Sequence, residues 1–368
     1  KIIRERMPGE SVPVYLQTKY DVRTTRLYSY AWIVYGFLYI PIQLKTVSSI
    51  IQIVLPGLNL MVAMFIGVTI AVIYTSFSGM KGASAVGRVV CIGIYVLLIC
   101  FVFTTLPKFG GFSGLLGELP EKYDSMGNMP TQRIVAWIVG GCISTAVMQA
   151  VLQPLLSAKS PEAARVGSIL GYVIAAPICF FTAICGMLSK ASGADLGDGS
   201  TAFAYAIKTF SSPVFAGIIF AFATMIIAAT MATMMLATGT IITNVYKTEI
   251  NPDVDDAKVL KLSKTITFVF AYLTLIPAFL IPSKSLTNLF LTLQHVAAAP
   301  VSFSILAGLL WKKTTKQGAF WSMLTGMITG VAWMLLGLTD IVEAVYPVVV
   351  VTYGVGIIVS LMTYKEKN

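Results

Sequence analysis

Two groups of side chains in this 368-residue sequence could do chemistry, and both lie in apolar surroundings. The first is a set of threonines. Residues 214–246 carry no charge and include six threonines: Thr224, Thr230, Thr233, Thr238, Thr240 and Thr243. At about 100° per residue, a helix places Thr230, Thr233 and Thr240 on one narrow stripe. Each hydroxyl could simply bond back to the carbonyl one turn earlier, the usual fate of Thr in apolar helices. Alternatively, the stripe lines a polar cavity and offers neutral oxygens to a small hard cation. The second group is Lys45, Gln294 and His295, polar residues inside otherwise apolar runs. A charge at membrane depth costs about 3 kcal/mol unless paired or hydrated. Lys45 therefore either snorkels to the interface or faces a cavity, where it would bind an anionic solute or stand in for a cation. His295 reads first as a structural hydrogen-bonder, with a proton relay as the alternative.

The elements that must position these groups are membrane helices. The chain is 57% hydrophobic and 11% charged, with mean hydropathy +0.82. That balance defines an integral membrane protein. Ten apolar spans are expected, at about 28–54, 57–77, 88–106, 134–153, 166–189, 214–246, 262–282, 285–311, 318–338 and 343–363. None has Asp or Glu at its middle, which argues against proton coupling and suits sodium held by neutral oxygens. With one histidine and no HExxH, P-loop or GxSxG pattern, the sequence offers nothing to an enzyme mechanism and implies no cofactor. Cys91, Cys100, Cys142, Cys179 and Cys185 lack metal-ligand spacing and read as small packing residues.

The net charge of +10 follows from topology rather than from nucleic-acid binding. One set of connections, beginning with 1–26, holds 19 of the lysines and arginines, and the opposite set holds 6. The positive-inside rule makes the first face cytoplasmic, with both chain ends there, in a plasma (inner) membrane protein. The longer outer connections, 107–133 and 190–212, read as loops with short surface helices. Ser160-Pro161-Glu162 reads as a helix start. Gly140–Gly141 in the fourth span, Pro177 in the fifth and Pro300 in the eighth are helix breakers; each reads either as a simple kink or as the kind of broken helix that marks a transporter binding site. The chain opens in a basic, loop-like segment without methionine, so upstream sequence is expected to be missing.

Several motifs, in order, resemble the sodium:solute symporter family. Gln153-Pro-Leu-Leu-Ser-Ala-Lys-Ser-Pro-Glu-Ala-Ala-Arg165 is similar to the family's inner loop, with Pro154 where the family carries arginine. Leu310-Trp-Lys-Lys-Thr-Thr-Lys-Gln-Gly-Ala319 resembles a later inner loop, and Tyr74-Thr-Ser-Phe-Ser-Gly-Met-Lys-Gly82 a Tyr-to-Gly turn. The threonine run ends in a family-like Tyr246, followed by Asn251-Pro-Asp253. The resemblance implies an all-α, LeuT-like inverted-repeat fold of which this chain holds the last ten helices, as one transmembrane domain over 1–368. The missing three would include the unwound helix that supplies carbonyls to sodium and solute.

The resemblance further implies that the threonine run is the sodium helix. The family's adjacent hydroxyl pair falls on Ala229 and Thr230, the Ile226 carbonyl completes this helix's share, and Thr233 lies where many members have another hydroxyl. The family's acidic residue at the start of the third span falls near Gly87 and its following glutamine near Val90. Gln43 matches an amide directed at the solute, although helical spacing turns it about 200° from Lys45. A solute-contacting position falls on Met148, next to a retained Gln149. The expected solute site is therefore Gln43, Lys45, Met148, Gln149, Gln294 and His295, between the first, fourth, sixth and eighth spans. The implied activity is sodium-driven symport of a small organic solute by alternating access. A sodium-independent carrier and a non-transporting scaffold or sensor remain as alternatives.

Overall fold

The computed structural model describes residues 2–7, 11–123, 129–196, 199, 201–281 and 286–365, apart from the side chains of 76–86, 122, 256, 287 and 340. Among these residues every regular element is helical. Eight helices are long and apolar enough to cross a bilayer: Val22–Val54, Gly87–Phe109, Pro161–Ala191, Pro213–Glu249, Ala257–Leu280, Asn288–Leu310, Lys316–Leu335 and Val345–Thr363. A shorter apolar helix, Leu60–Thr75, and a bent pair, Thr131–Thr145 with Gln149–Leu156, supply the second and fourth of the ten expected spans. The second and third spans both lie on the helical stretch Leu60–Thr105. The turn expected at 74–82 is helical backbone within that stretch.

Local chemistry sets the helix starts. Asp21 accepts from Thr24 N at 2.8 Å, and Asn59 accepts from Met61 N at 2.8 Å. Ser160, with Pro161 in the first turn, accepts from Ala163 N at 3.1 Å, as its motif predicts. Short surface helices, Gly111–Gly117 and Ala202–Phe210, occupy the two longer connections.

The three breakers act differently. The fourth span runs helically through Gly140–Gly141 and bends by 46° between Thr145 and Gln149, with Met148 extended (φ −69°, ψ 128°). Gly140 has a different duty: a Cβ there would run into the His295 ring and Val345, so its bareness sets helix contact rather than a kink. The fifth span is unbroken at Pro177, since membrane helices tolerate the one lost hydrogen bond. The eighth span stays one span, Asn288–Leu310, but its helix is distorted around Pro300, passing from π-helix (Gln294–Ala298) through a 3₁₀ turn (Ala299–Val301) to π-helix again (Phe303–Ala307). Pro300 has no N–H and its ring crowds the preceding turn, so the backbone widens around it.

The core has two centres. The larger joins the first span (Tyr28, Trp32, Tyr35, Tyr39, Leu44) to the fourth, sixth and eighth through Met148, Leu152, Met231, Met235 and Ile305. The smaller packs Ile50 with Leu98, Phe101, Ile184 and Ile219, from the third, fifth and sixth spans. The ninth and tenth spans meet along small residues at four-residue intervals. Gly318, Ser322, Gly326 and Gly330 are buried on one helix, and Val348, Thr352, Gly356 and Ser360 on the other. The fifth span shows its apolar side outward through Ile169, Leu170, Val173 and Ile174, as a lipid-facing helix does. Cys100, Cys142 and Cys179 are also exposed, so only Cys185 is a buried packing residue and Cys91 a partly buried one.

Candidate functional site

Thr230 and Thr233 of the threonine stripe, but not Thr240, share one cavity with the bend of the fourth span. It measures ≈ 430 Å³ and is lined by Tyr39, Gly87, Val90, Cys91, Tyr95, Met148, Ile226, Ala229, Thr230 and Thr233, among others. Five spans contribute: the first, third, fourth, fifth and sixth. All four residues expected at the cation site thus line the cavity from the sixth span, and Met148 lines it from the fourth.

Both readings of the threonines hold together. Thr230 Oγ1 donates to the Ile226 carbonyl at 3.1 Å, and Thr233 Oγ1 to the Ala229 carbonyl at 2.9 Å. Thr240 and Thr243 bond back in the same way, to Leu236 and Gly239. Thr230 and Thr233 differ in also lining the cavity. A hydroxyl that donates once keeps two lone pairs, so Thr230 can still offer its oxygen to a cation. The Ile226 carbonyl oxygen lies 3.1 Å from that hydroxyl, and both residues line the cavity. Ala229 presents only a methyl group.

The expected solute residues divide. Gln43 Nε2 donates to the Tyr39 hydroxyl at 3.1 Å, which places the amide one residue behind the cavity wall. Gln294 Nε2 lies 3.9 Å from the Met148 sulfur, likewise behind the wall. The other three are not among the lining residues. Gln149 is fully buried, and its Oε1 accepts from Val12 N at 2.8 Å. His295 is buried beneath Gly140, and its Nε2 has no hydrogen-bond partner among the described residues. Lys45 is 5% exposed, and its ammonium donates to the Ile281 carbonyl, which closes the short helix Leu275–Leu280.

Lys45 therefore neither snorkels nor lines the threonine cavity. A cation at a helix C-terminus meets the negative end of the dipole and unsatisfied carbonyls. Lys45→Met removes a charge costing about 3 kcal/mol at depth and strands a carbonyl costing about 1–3 kcal/mol, so the two nearly offset. The expected result is a melting temperature within a few degrees of wild type and unchanged sodium and solute affinities. A shifted solute affinity in binding assays would return Lys45 to the site.

Two hydroxyls on the cavity wall escaped the sequence reading, those of Tyr39 and Tyr95. Tyr39 tops an aromatic ladder on the first span: Tyr28–Trp32, Trp32–Tyr35 and Tyr35–Tyr39 ring centroids lie 5.9, 5.0 and 5.5 Å apart. The spacing of four between Tyr39 and Gln43 was a legible signal of a shared face. Tyr95 donates to the Ile174 carbonyl and fastens the third span to the fifth. No cluster of His, Cys, Asp or Glu able to hold a metal occurs among the described residues.

The geometry is that of a multi-pass helical bundle in which a bent span and a threonine-bearing helix share one cavity. Residues 10–326 match the sodium:solute symporter family, and the chain belongs to it. It is 25% identical over 304 residues to the uncharacterized symporter YodF of Bacillus subtilis (strain 168), covering 78% of this chain and 60% of that protein. It is 22% identical over 303 residues to the high-affinity proline transporter PutP of the same organism, covering 79% and 63%. With the sodium/glucose cotransporter of Vibrio parahaemolyticus the identity is 25% over 355 residues, covering 84% and 63%. The chain thus spans about three-fifths of the length of these relatives. A solved Na+-coupled sialic acid symporter, in a substrate-bound outward-open state, superposes with TM-score 0.79 at 16% identity, covering 100% of this chain and 80% of that one. This likeness shows the LeuT-like fold that the motif order implied.

Proposed function

We propose that the protein is a sodium-coupled symporter that moves a small organic solute by alternating access. The observation that carries this reading is the pair of oxygens from Thr230 and Ile226, 3.1 Å apart on a cavity wall, in a chain of the sodium:solute symporter family. Sodium would take these two oxygens together with others from elsewhere in the protein, and Thr233 would add a further hydroxyl nearby. Met148, backed by Gln294, and Tyr39, backed by Gln43, would face the solute. Cation binding would favour one conformation and so raise solute affinity, a coupling that must be reciprocal. The asymmetry of 19 against 6 basic residues supports a plasma-membrane protein with its basic connections inside. The described spans pack around shared cores, which supports one transmembrane domain over 1–368.

Ala229 and Gly87, where the family carries a hydroxyl and an acid, favour a second reading, a carrier of the same fold without sodium dependence. Uptake by vesicles of cells making the full-length protein separates the two. Proline, glucose, pantothenate, sialic acid and short monocarboxylates form the solute panel, offered in sodium and then in choline medium. Uptake of at least one solute should fall by about tenfold or more without sodium. Equal uptake in both media would remove sodium from the mechanism.

A further inference from the structure

The fourth and eighth spans are tied together by two short helices that the proposed function has not used, Ile2–Arg6 and Val12–Lys19, with the Tyr20 that follows. These donate four hydrogen bonds outward. Two reach the second half of the fourth span: Val12 N to Gln149 Oε1 at 2.8 Å, and Arg4 Nε to the Ala158 carbonyl at 3.3 Å. Two reach the end of the eighth: the Tyr20 hydroxyl to the Ser304 carbonyl at 2.7 Å, and Arg6 Nη1 to the Leu309 carbonyl at 3.0 Å. The carbonyls they meet are those that a π-helical turn and a helix end leave under-satisfied. Gly308 makes the approach possible, because a Cβ there would strike the hydroxyls of both Tyr20 and Tyr15. Burial pushes both phenols well above the usual tyrosine range, so both stay neutral at any physiological pH, and Tyr20 keeps its proton for the Ser304 carbonyl.

The first half of the fourth span is anchored quite differently. Arg133 pairs with Glu343 at 2.8 Å, the Tyr346 hydroxyl donates to the Gln132 carbonyl at 2.6 Å, and Ser144 Oγ donates to the Gln294 carbonyl at 3.2 Å. Those bonds fix it to the eighth and tenth spans. Beyond the 46° bend, the described polar contacts that leave Gln149–Leu156 and its following turn run only to Val12 and Arg4. Pro154 also denies that half-helix one of its own bonds.

We propose that Gln149 and Tyr20 are positioning residues, which clamp the second half of the fourth span and the end of the eighth to the helices at 2–6 and 12–19 and the residue that follows them, and that release of this clamp opens the cavity. Gln149 then acts through Val12 rather than on the solute. The inference builds on alternating access as proposed above, yet its test needs neither solute nor sodium.

The full-length protein in detergent is treated with a water-soluble thiol reagent, and labelling of the cavity-lining Cys91 is followed by peptide mass spectrometry. Gln149→Met removes the acceptor of Val12 N–H, and Tyr20→Phe removes one hydroxyl with no change of shape. Each should label Cys91 several-fold faster than wild type and raise amide exchange across residues 11–20. Gln149→Glu keeps an acceptor oxygen at the start of a helix, where an acid is favoured, and should restore the slow rate. Wild-type labelling in both Gln149→Met and Tyr20→Phe would overturn the clamp, even if their melting temperatures fell. So would fast labelling in Gln149→Glu. If the clamp variants behave as expected while no solute on the panel is transported, the clamp stands and the transport reading falls.

Discussion

Gly326→Leu is expected to separate the ninth and tenth spans and to cost about 3 kcal/mol or more, the upper end for overpacking a close helix contact. A Cβ at Gly326 would strike the Thr352 hydroxyl and lie 3.0 Å from Pro300 Cβ, so leucine's further carbons have no room. Along the same stripe a Cβ at Gly318 would strike the Ser360 hydroxyl, and one at Gly330 would lie 3.0 Å from Val296 Cα. Between membrane helices there is little hydrophobic driving force, so close packing of small residues carries the association. The damage would not stay local. Pro300 and Val296 belong to the distorted eighth span, so a displaced ninth span reaches the wall behind Met148 through Gln294. Thermal unfolding of the full-length protein should show the loss, or the variant should fail to be recovered in folded form. Gly354→Leu is the control, since a Cβ at Gly354 meets nothing within 4 Å, and it should unfold like wild type.

Thr230→Ala is expected to weaken sodium binding by about tenfold or more, the scale of a hydrogen bond or ligand contact to a charged group, about 1.5–3 kcal/mol. Folding should be untouched, because the lost hydroxyl bonded only back to Ile226 within its own helix turn. Thr230→Ser keeps the oxygen and should keep the affinity. The reverse change is equally informative. Ala229 already lines the cavity, so Ala229→Ser places a second hydroxyl beside the first and should tighten sodium binding. Sodium titrations of uptake, or of intrinsic fluorescence, read all three variants. Thr233→Ala should have the smaller effect, since its hydroxyl lies almost one turn further along the helix.

Much of the architecture was legible because membrane burial writes long apolar runs: among the described residues eight of the ten expected spans are helices long enough to cross, the fourth is a bent pair, and the second is the shorter helix Leu60–Thr75. Breaks were harder to place. Pro300 distorts its helix as its chemistry demands, but Pro177 does not, and the fourth span bends at 146–148 rather than at its glycines. A glycine in a helix can serve bending or close approach, and only the neighbour decides. At Gly140 that neighbour is His295, 155 positions away in sequence. That Ile226, Ala229, Thr230 and Thr233 share one cavity wall was legible through helical spacing together with the family motif. Which polar side chains from the other helices reach the cavity was not, because no local pattern fixes the rotation of those helices. Lys45 turned to the Ile281 carbonyl and Gln149 to the Val12 amide, both partners supplied by distant backbone. The small-residue stripe at 318, 322, 326 and 330 was visible in the sequence but was not read as a contact surface.

The claim at the centre of this account is that a sodium ion sits at the wall formed by Thr230 and Ile226. A ligand that binds only the folded protein stabilises it by RT ln(1 + [L]/Kd). The decisive measurement is therefore the melting temperature of the full-length protein in sodium chloride and in potassium chloride of equal ionic strength, for wild type and Thr230→Ala. Wild type should melt higher in sodium, and the difference should shrink or vanish in Thr230→Ala while the potassium values coincide. Identical melting of wild type in the two salts, or an undiminished sodium shift in Thr230→Ala, would contradict the site.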